Sequence, residues 1–128
     1  MKIEHFASNV ADPVAIADWY VEHLGLRIMQ ATGEPVHARF LADDGGAVML
    51  EVYRNDNAEV PDFASMDPLA MHLAFVSSNV DADCQRLADA GATVVEVPFT
   101  SPSGDRLAML RDPWGLALQL VARGAPMI

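Results

Sequence analysis

The sequence predicts an α+β fold of two tandem βαβββ modules whose strands form a cup-shaped mixed sheet. Three observations carry that prediction. Strand-like and helix-like segments pass through the same order twice. Landmark residues recur at matching spacings: His5 to Gly25 spans 20 residues and His72 to Gly91 spans 19, while His5 to Glu51 spans 46 and His72 to Gln119 spans 47. One offset of 66 to 68 residues thus carries histidine onto histidine, glycine onto glycine and glutamate onto its amide analogue, as repeated structural units do. Finally, 128 residues with 52% hydrophobic and 20% charged content can bury a real core.

The elements follow in order. Residues 2–8 alternate as a strand. Asp12-Pro13 reads as a helix start, with Asp12 as N-cap and Pro13 in the first turn. Val14, Ala17 and Val21, with Ile16, Tyr20 and Leu24, keep helical spacing up to Gly25, a helix stop. Strands are expected near 26–31, 36–42 and 47–54, the last two joined by Asp43-Asp44-Gly45-Gly46. Residues 55–68, containing Pro61 and Pro68, read as a linker. The second cycle has a strand at 69–77, a helix capped by Asn79 and ended by Gly91, and strands near 93–99, 105–111 and 115–122. Turns come from Ser103-Gly104-Asp105 and Asp112-Pro113-Trp114-Gly115. The expected modules are 1–54 and 69–128, together one compact domain.

Charge and composition exclude several classes of function. Eight basic against 18 acidic residues give a net charge of −10, which repels phosphate backbones, so no nucleic-acid partner is expected. The single Cys84 cannot form an intrachain disulfide. Met1 to His5 lack a signal-peptide core, and no apolar run reaches the about 18 residues a membrane span needs. A cytoplasmic protein without membrane contact is the expectation.

Side chains alternate between the two faces of a strand, so the neighbours of each polar residue can be read off. His5 shares a face with Ile3 and Ala7; Glu51 with Ala47, Met49 and Tyr53; His72 with Ala70 and Ala74; Gln119 with Ala117 and Val121. The opposite faces carry Phe6, Val48, Leu50, Val52, Met71, Leu73, Phe75, Leu116, Leu118 and Leu120, which suit packing under the helices. Small neighbours around inward polar groups suggest the wall of a ligand cup. Two imidazoles, a carboxylate and an amide oxygen make a reasonable ligand set for a divalent ion such as zinc, nickel, cobalt, manganese or iron.

These residues carry a resemblance. The strand histidines 5 and 72, Glu51 in AVMLEVYR, and Gln119 in the closing RDPWGLALQLV resemble the vicinal oxygen chelate superfamily of glyoxalase I, methylmalonyl-CoA epimerase, extradiol dioxygenases and the fosfomycin- and bleomycin-resistance proteins. The resemblance implies paired modules forming a cup, commonly in a homodimer. It places metal ligands on the first and fourth strands of each module, at His5, Glu51, His72 and Gln119. It implies lyase or isomerase chemistry in which a metal chelates adjacent oxygens of a small substrate. Glyoxalase I has a glutamate where this chain has Gln119. An amide cannot abstract a proton, so Glu51 is the candidate catalytic base. Two alternatives accompany this reading: a metal-free small-molecule or antibiotic-binding protein, and an iron(II) extradiol-type dioxygenase.

Other residues admit plainer readings. His23 complements a helix C-terminus. His37 and Arg39 share one face of a strand, solvated or touching substrate. Cys84 is structural, and Tyr53 is a candidate to line the cup and bind substrate. Trp114 sits in a turn, and Phe63 and Met66 lie in the linker, a connector or a lid.

Overall fold

The computed structural model describes residues 1–127. Its elements run β1 (His5–Asn9), α1 (Pro13–Leu24), β2 (Arg27–Ala31), β3 (Arg39–Ala42), β4 (Met49–Tyr53), β5 (Leu73–Val76), α2 (Val80–Asp89), β6 (Thr93–Thr100), β7 (Arg106–Arg111) and β8 (Ala117–Ala122). The backbone gathers into two units, Met1–Pro61 and Asp62–Ile128. Each is a βαβββ module with one helix and one four-stranded mixed sheet, of order β1-β4-β3-β2 in the first and β5-β8-β7-β6 in the second. In both, the first strand pairs parallel with the fourth, and the remaining pairs are antiparallel.

The helix ends obey their local chemistry. The Asp12 carboxylate accepts from Ala15 N at 3.0 Å and Pro13 opens α1. Gly25 closes it at φ +72°, a conformation that needs the missing Cβ. The Asn79 side chain caps α2 by accepting from Ala82 N at 3.1 Å. Asp81 and Asp83 then place negative charge against the positive end of the helix dipole.

One face of each sheet packs on its helix. Tyr20, Ile16 and Ala17 are buried with Leu41 and Val52 in the first module; Leu87, Val80 and Cys84 are buried with Leu110, Leu118 and Leu120 in the second. Burial pushes the Cys84 thiol above its ordinary pKa, assisted by the charge of Asp81, in keeping with a structural cysteine. Two of the bulky residues expected under a helix are exposed instead, Phe6 and Val48. Phe6 lies on β1, an edge strand, and Val48 precedes β4.

Several strands are shorter than the sequence pattern suggests, β3 and β5 most of all. The stretch before β3 is a loop in which His37 takes a positive φ of 49° and its N–H donates to Gly33 O at 2.9 Å. His37 therefore does not share a strand face with Arg39. The Arg39 Nη1 lies 2.9, 3.1 and 3.0 Å from the carbonyl oxygens of Thr32, His37 and Ala38, so this guanidinium fastens the loop. Before β5, Asp67 accepts from Leu69 N and Ala70 N at 2.9 Å each, a turn that delays the strand until Leu73.

The segment at 55–68 is tied to both modules' own sheets. The Asn9 side chain, 9% exposed, donates to Asn55 O and Ala58 O and accepts from Asn55 N. In the second module Arg111 donates to Phe63 O at 2.7 Å, Gly115 O at 2.9 Å and Met66 O at 2.6 Å. Phe63 is buried. These bonds fasten 63–66 to β7.

Two carboxylates of α2 are held below their ordinary pKa by hydrogen-bonded partners. The Ser77 hydroxyl, 2.6 Å away, holds the Asp83 carboxyl below its ordinary pKa; burial opposes this, and Arg86 at 2.9 Å assists it. Arg106 similarly lowers Asp81, joining α2 to β7. A carboxylate whose folded pKa is depressed stabilises the fold above its unfolded pKa, and that stability disappears as pH falls through the folded value. Ser77→Ala is therefore expected to raise the Asp83 pKa in a carbon-13 NMR titration and to move acid unfolding to higher pH. An unchanged Asp83 titration would contradict the assigned role of Ser77.

Candidate functional site

In the first module the parallel register sets Ala7 opposite Glu51 and His5 opposite Met49, while the antiparallel register sets Phe40 on the far side of Glu51 and Gln30 beyond it. His5 and Glu51 lie on the sheet face away from α1. His5 Nε2 is 3.4 Å from Glu51 Oε2. The other ring nitrogen, Nδ1, is 2.8 Å from Glu4 Oε2. Phe40 meets the imidazole edge-on, with centroids 5.8 Å apart and planes at 89°. Glu51 is well shielded, its side chain 17% exposed against 34% for His5.

The second module repeats the arrangement with altered chemistry. Ala74 lies opposite Gln119, then Met109, then Glu96 across the sheet. His72 precedes β5 by one residue and continues the Ala74 face. Its Nδ1 is 2.8 Å from Pro68 O, and a carbonyl only accepts, so Nδ1 carries the proton. The Gln119 side chain is half-buried and makes no hydrogen bond among the described residues. Its neighbours Ala117 and Val121 are buried rather than open.

Carboxylate and amide exchange places between the modules. The first has Glu51 on its inner strand and Gln30 on its edge strand; the second has Gln119 on the inner strand and Glu96 on the edge. Strand periodicity alone does not reveal Glu96, because β6 shifts register on both sides of it. Strand alternation gives no signal for Glu4 either, although Glu4 adjoins His5 in the chain. Tyr53 shares the Glu51 face and stands opposite Asn9.

No three His, Cys, Asp or Glu residues gather around a common point among the described residues. Each module supplies one imidazole and one oxygen donor. Do these donors suit a metal? An ion held tetrahedrally at about 2.1 Å by nitrogen and oxygen separates its donors by about 3.4 Å, which matches the His5–Glu51 separation. That separation is long for a hydrogen bond. Both histidines also have Nδ1 engaged, which leaves Nε2 available as the donor to a metal. The His5–Glu51 pair fits two positions of a divalent ion's ligand shell.

His23 lies elsewhere, 3.8 Å from Glu22 and with its ring 5.1 Å from that of Trp19. Trp114 is half-buried in the turn that precedes β8.

Two mixed sheets of this order, each with a parallel first and fourth strand, define a paired βαβββ protein. The sequence profile of the Glyoxalase/Bleomycin resistance protein/Dioxygenase superfamily matches residues 2–120, and the chain belongs to that superfamily. Solved structures agree. TnmS3, an antibiotic binding protein from Streptomyces sp. CB03234, is 26% identical with TM-score 0.72, over 94% of this chain and 93% of that one. A family enzyme from Burkholderia phytofirmans PsJN is 19% identical with TM-score 0.77, over 94% and 98%. A glyoxalase I mutant from Zea mays is 19% identical with TM-score 0.76; 97% of this chain covers 46% of that longer one. The last two likenesses concern the fold. No curated protein sequence matches. Among the described residues no helix is long and apolar enough to cross a membrane.

Proposed function

We propose that the protein is a small metal-dependent enzyme of lyase or isomerase type, with His5, Glu51, His72 and Gln119 as ligands of a divalent ion. The observation that carries this reading is the 3.4 Å approach of His5 Nε2 to Glu51 Oε2; His72 and Gln119 hold the corresponding sequence positions of the second module. A bound ion would supply Lewis-acid stabilisation of negative charge on adjacent substrate oxygens. The protein's own residues divide the remaining tasks. Glu51, shielded and facing His5, accepts a proton from substrate. Gln119 orients through its amide without taking a proton, and Tyr53 lines the same face as Glu51. We further propose a cytoplasmic homodimer.

The test is elemental analysis of tag-free protein incubated with zinc, nickel, cobalt, manganese or iron(II) and then desalted. About one equivalent per chain is expected, lost in a His5→Ala/His72→Ala variant and reduced at least tenfold in affinity by Glu51→Gln. No retained metal would overturn the reading. The second reading, a metal-free antibiotic-binding protein, is favoured by the likeness to TnmS3 and by the net charge of −10, which attracts cationic ligands. Calorimetry with bleomycin separates the two. Micromolar binding to metal-free protein supports the second reading, and no heat at that concentration removes it for this ligand.

A further inference from the structure

The two carboxylates beside His5 compete for one ring proton. Glu4 Oε2 stands 2.8 Å from Nδ1, whereas Glu51 Oε2 stands 3.4 Å from Nε2. A neutral imidazole has a single N–H, and the nitrogen without it offers a lone pair. The two tautomers differ little in free energy, so one short charge-assisted bond decides between them. We infer that Glu4 is a positioning residue: it takes the Nδ1–H of His5 and leaves the Nε2 lone pair directed at Glu51. This inference rests on the proposed ligand role of His5 and adds a residue outside that ligand set.

The repeat supplies an internal comparison. His72 reaches the same tautomer by another route, through the main-chain carbonyl of Pro68 at 2.8 Å. A carbonyl cannot be removed by a side-chain substitution, so the His72 tautomer is set by the turn before β5. That of His5 depends on one exposed side chain. Without Glu4 the nearest remaining acceptor is Glu51. The proton then moves to Nε2, and the lone pair passes to Nδ1, on the far side of the ring from Glu51.

Long-range proton–nitrogen NMR on metal-free protein, above the pH at which the histidines are protonated, reads both tautomers directly. In the unaltered chain both histidines are expected to carry the proton on Nδ1. Glu4→Ala moves it to Nε2 in His5 and leaves His72 unchanged. Glu4→Gln, whose amide oxygen still accepts, retains it on Nδ1. An Nε2–H form of His5 in the unaltered chain, or the same His5 spectrum in Glu4→Ala as in the unaltered chain, would overturn the inference. So would a Glu4→Gln spectrum that matches Glu4→Ala. Because this readout uses metal-free protein, it fails or succeeds independently of whether the protein retains a metal. In zinc titrations Glu4→Ala is expected to bind about tenfold more weakly, with Glu4→Gln within a few-fold of the unaltered chain.

Discussion

Gly115→Ala is expected to destabilise the protein by about 4 kcal/mol, combining strained backbone with an overpacked contact. Gly115 sits at φ +96°, where an L side chain is strained. A Cβ there would stand 2.7 Å from Ala64 N and 2.8 Å from Ala64 Cα and Cβ. Neither partner can yield cheaply. Arg111 holds the flanking carbonyls of Phe63 and Met66, and Gly115 N donates to Asp112 O at 3.0 Å. A methyl group at Gly124 would meet nothing within 4 Å, and the backbone there has no positive φ, so Gly124→Ala serves as the control. Urea unfolding of both variants checks this. A Gly115→Ala loss below about 1 kcal/mol would show that the 63–66 segment gives way, contrary to its fastening.

Asp112→Ala carries the second large effect, a loss of about 3 kcal/mol. Asp112 is 3% exposed, and its Oδ1 accepts from Trp114 N and Leu116 N at 2.9 Å each. Removing the carboxylate leaves a buried donor at Leu116 and a part-buried one at Trp114 without that acceptor, which costs more than the bonds contribute net. Asp112→Asn keeps an oxygen at the same place and is expected to recover most of the loss. Equal losses in the two variants, measured by the same unfolding experiment, would reassign the effect from hydrogen-bond geometry to charge.

Both substitutions fall in the Asp112-Pro113-Trp114-Gly115 turn, which the sequence marks plainly as a turn. The reason the turn is so sensitive lies elsewhere in the chain. Ala64 is about 50 residues away in sequence, and no local pattern announces its approach to Gly115. Helix ends behave differently. Asp12, Asn79 and Gly25 act within a few residues, so their roles as caps and stop are written locally and appear as expected. The same holds for the repeat: matching spacings from His5 and His72 require matching modules, and the two sheets have the same strand order.

The readings that changed are those in which distant partners compete with strand periodicity. His37 and Arg39 alternate as a strand would. The positive φ of His37 and the bonds from Arg39 to Thr32, His37 and Ala38 turn that stretch into a fastened loop. For Phe63 and Met66 composition alone leaves connector and lid both open, and only the tertiary structure shows Arg111 bonded to the main-chain carbonyls of both. Phe6 alternates like a core residue, but β1 lies at a sheet edge and leaves it half in solvent.

By itself, the sequence determined the α+β class, the doubled βαβββ order and the helix caps, because repeat spacing is visible along the chain and capping chemistry is encoded in near neighbours; it also offered four candidate ligand positions. Tertiary structure decided the 3.4 Å meeting of His5 with Glu51, the partner of each Nδ1, and the exchange of Glu and Gln between Glu51–Gln30 and Gln119–Glu96. These depend on strand register and on carbonyls brought in from turns. Register is set by pairing between segments far apart in the chain, and a shift of one residue would send each side chain to the opposite face.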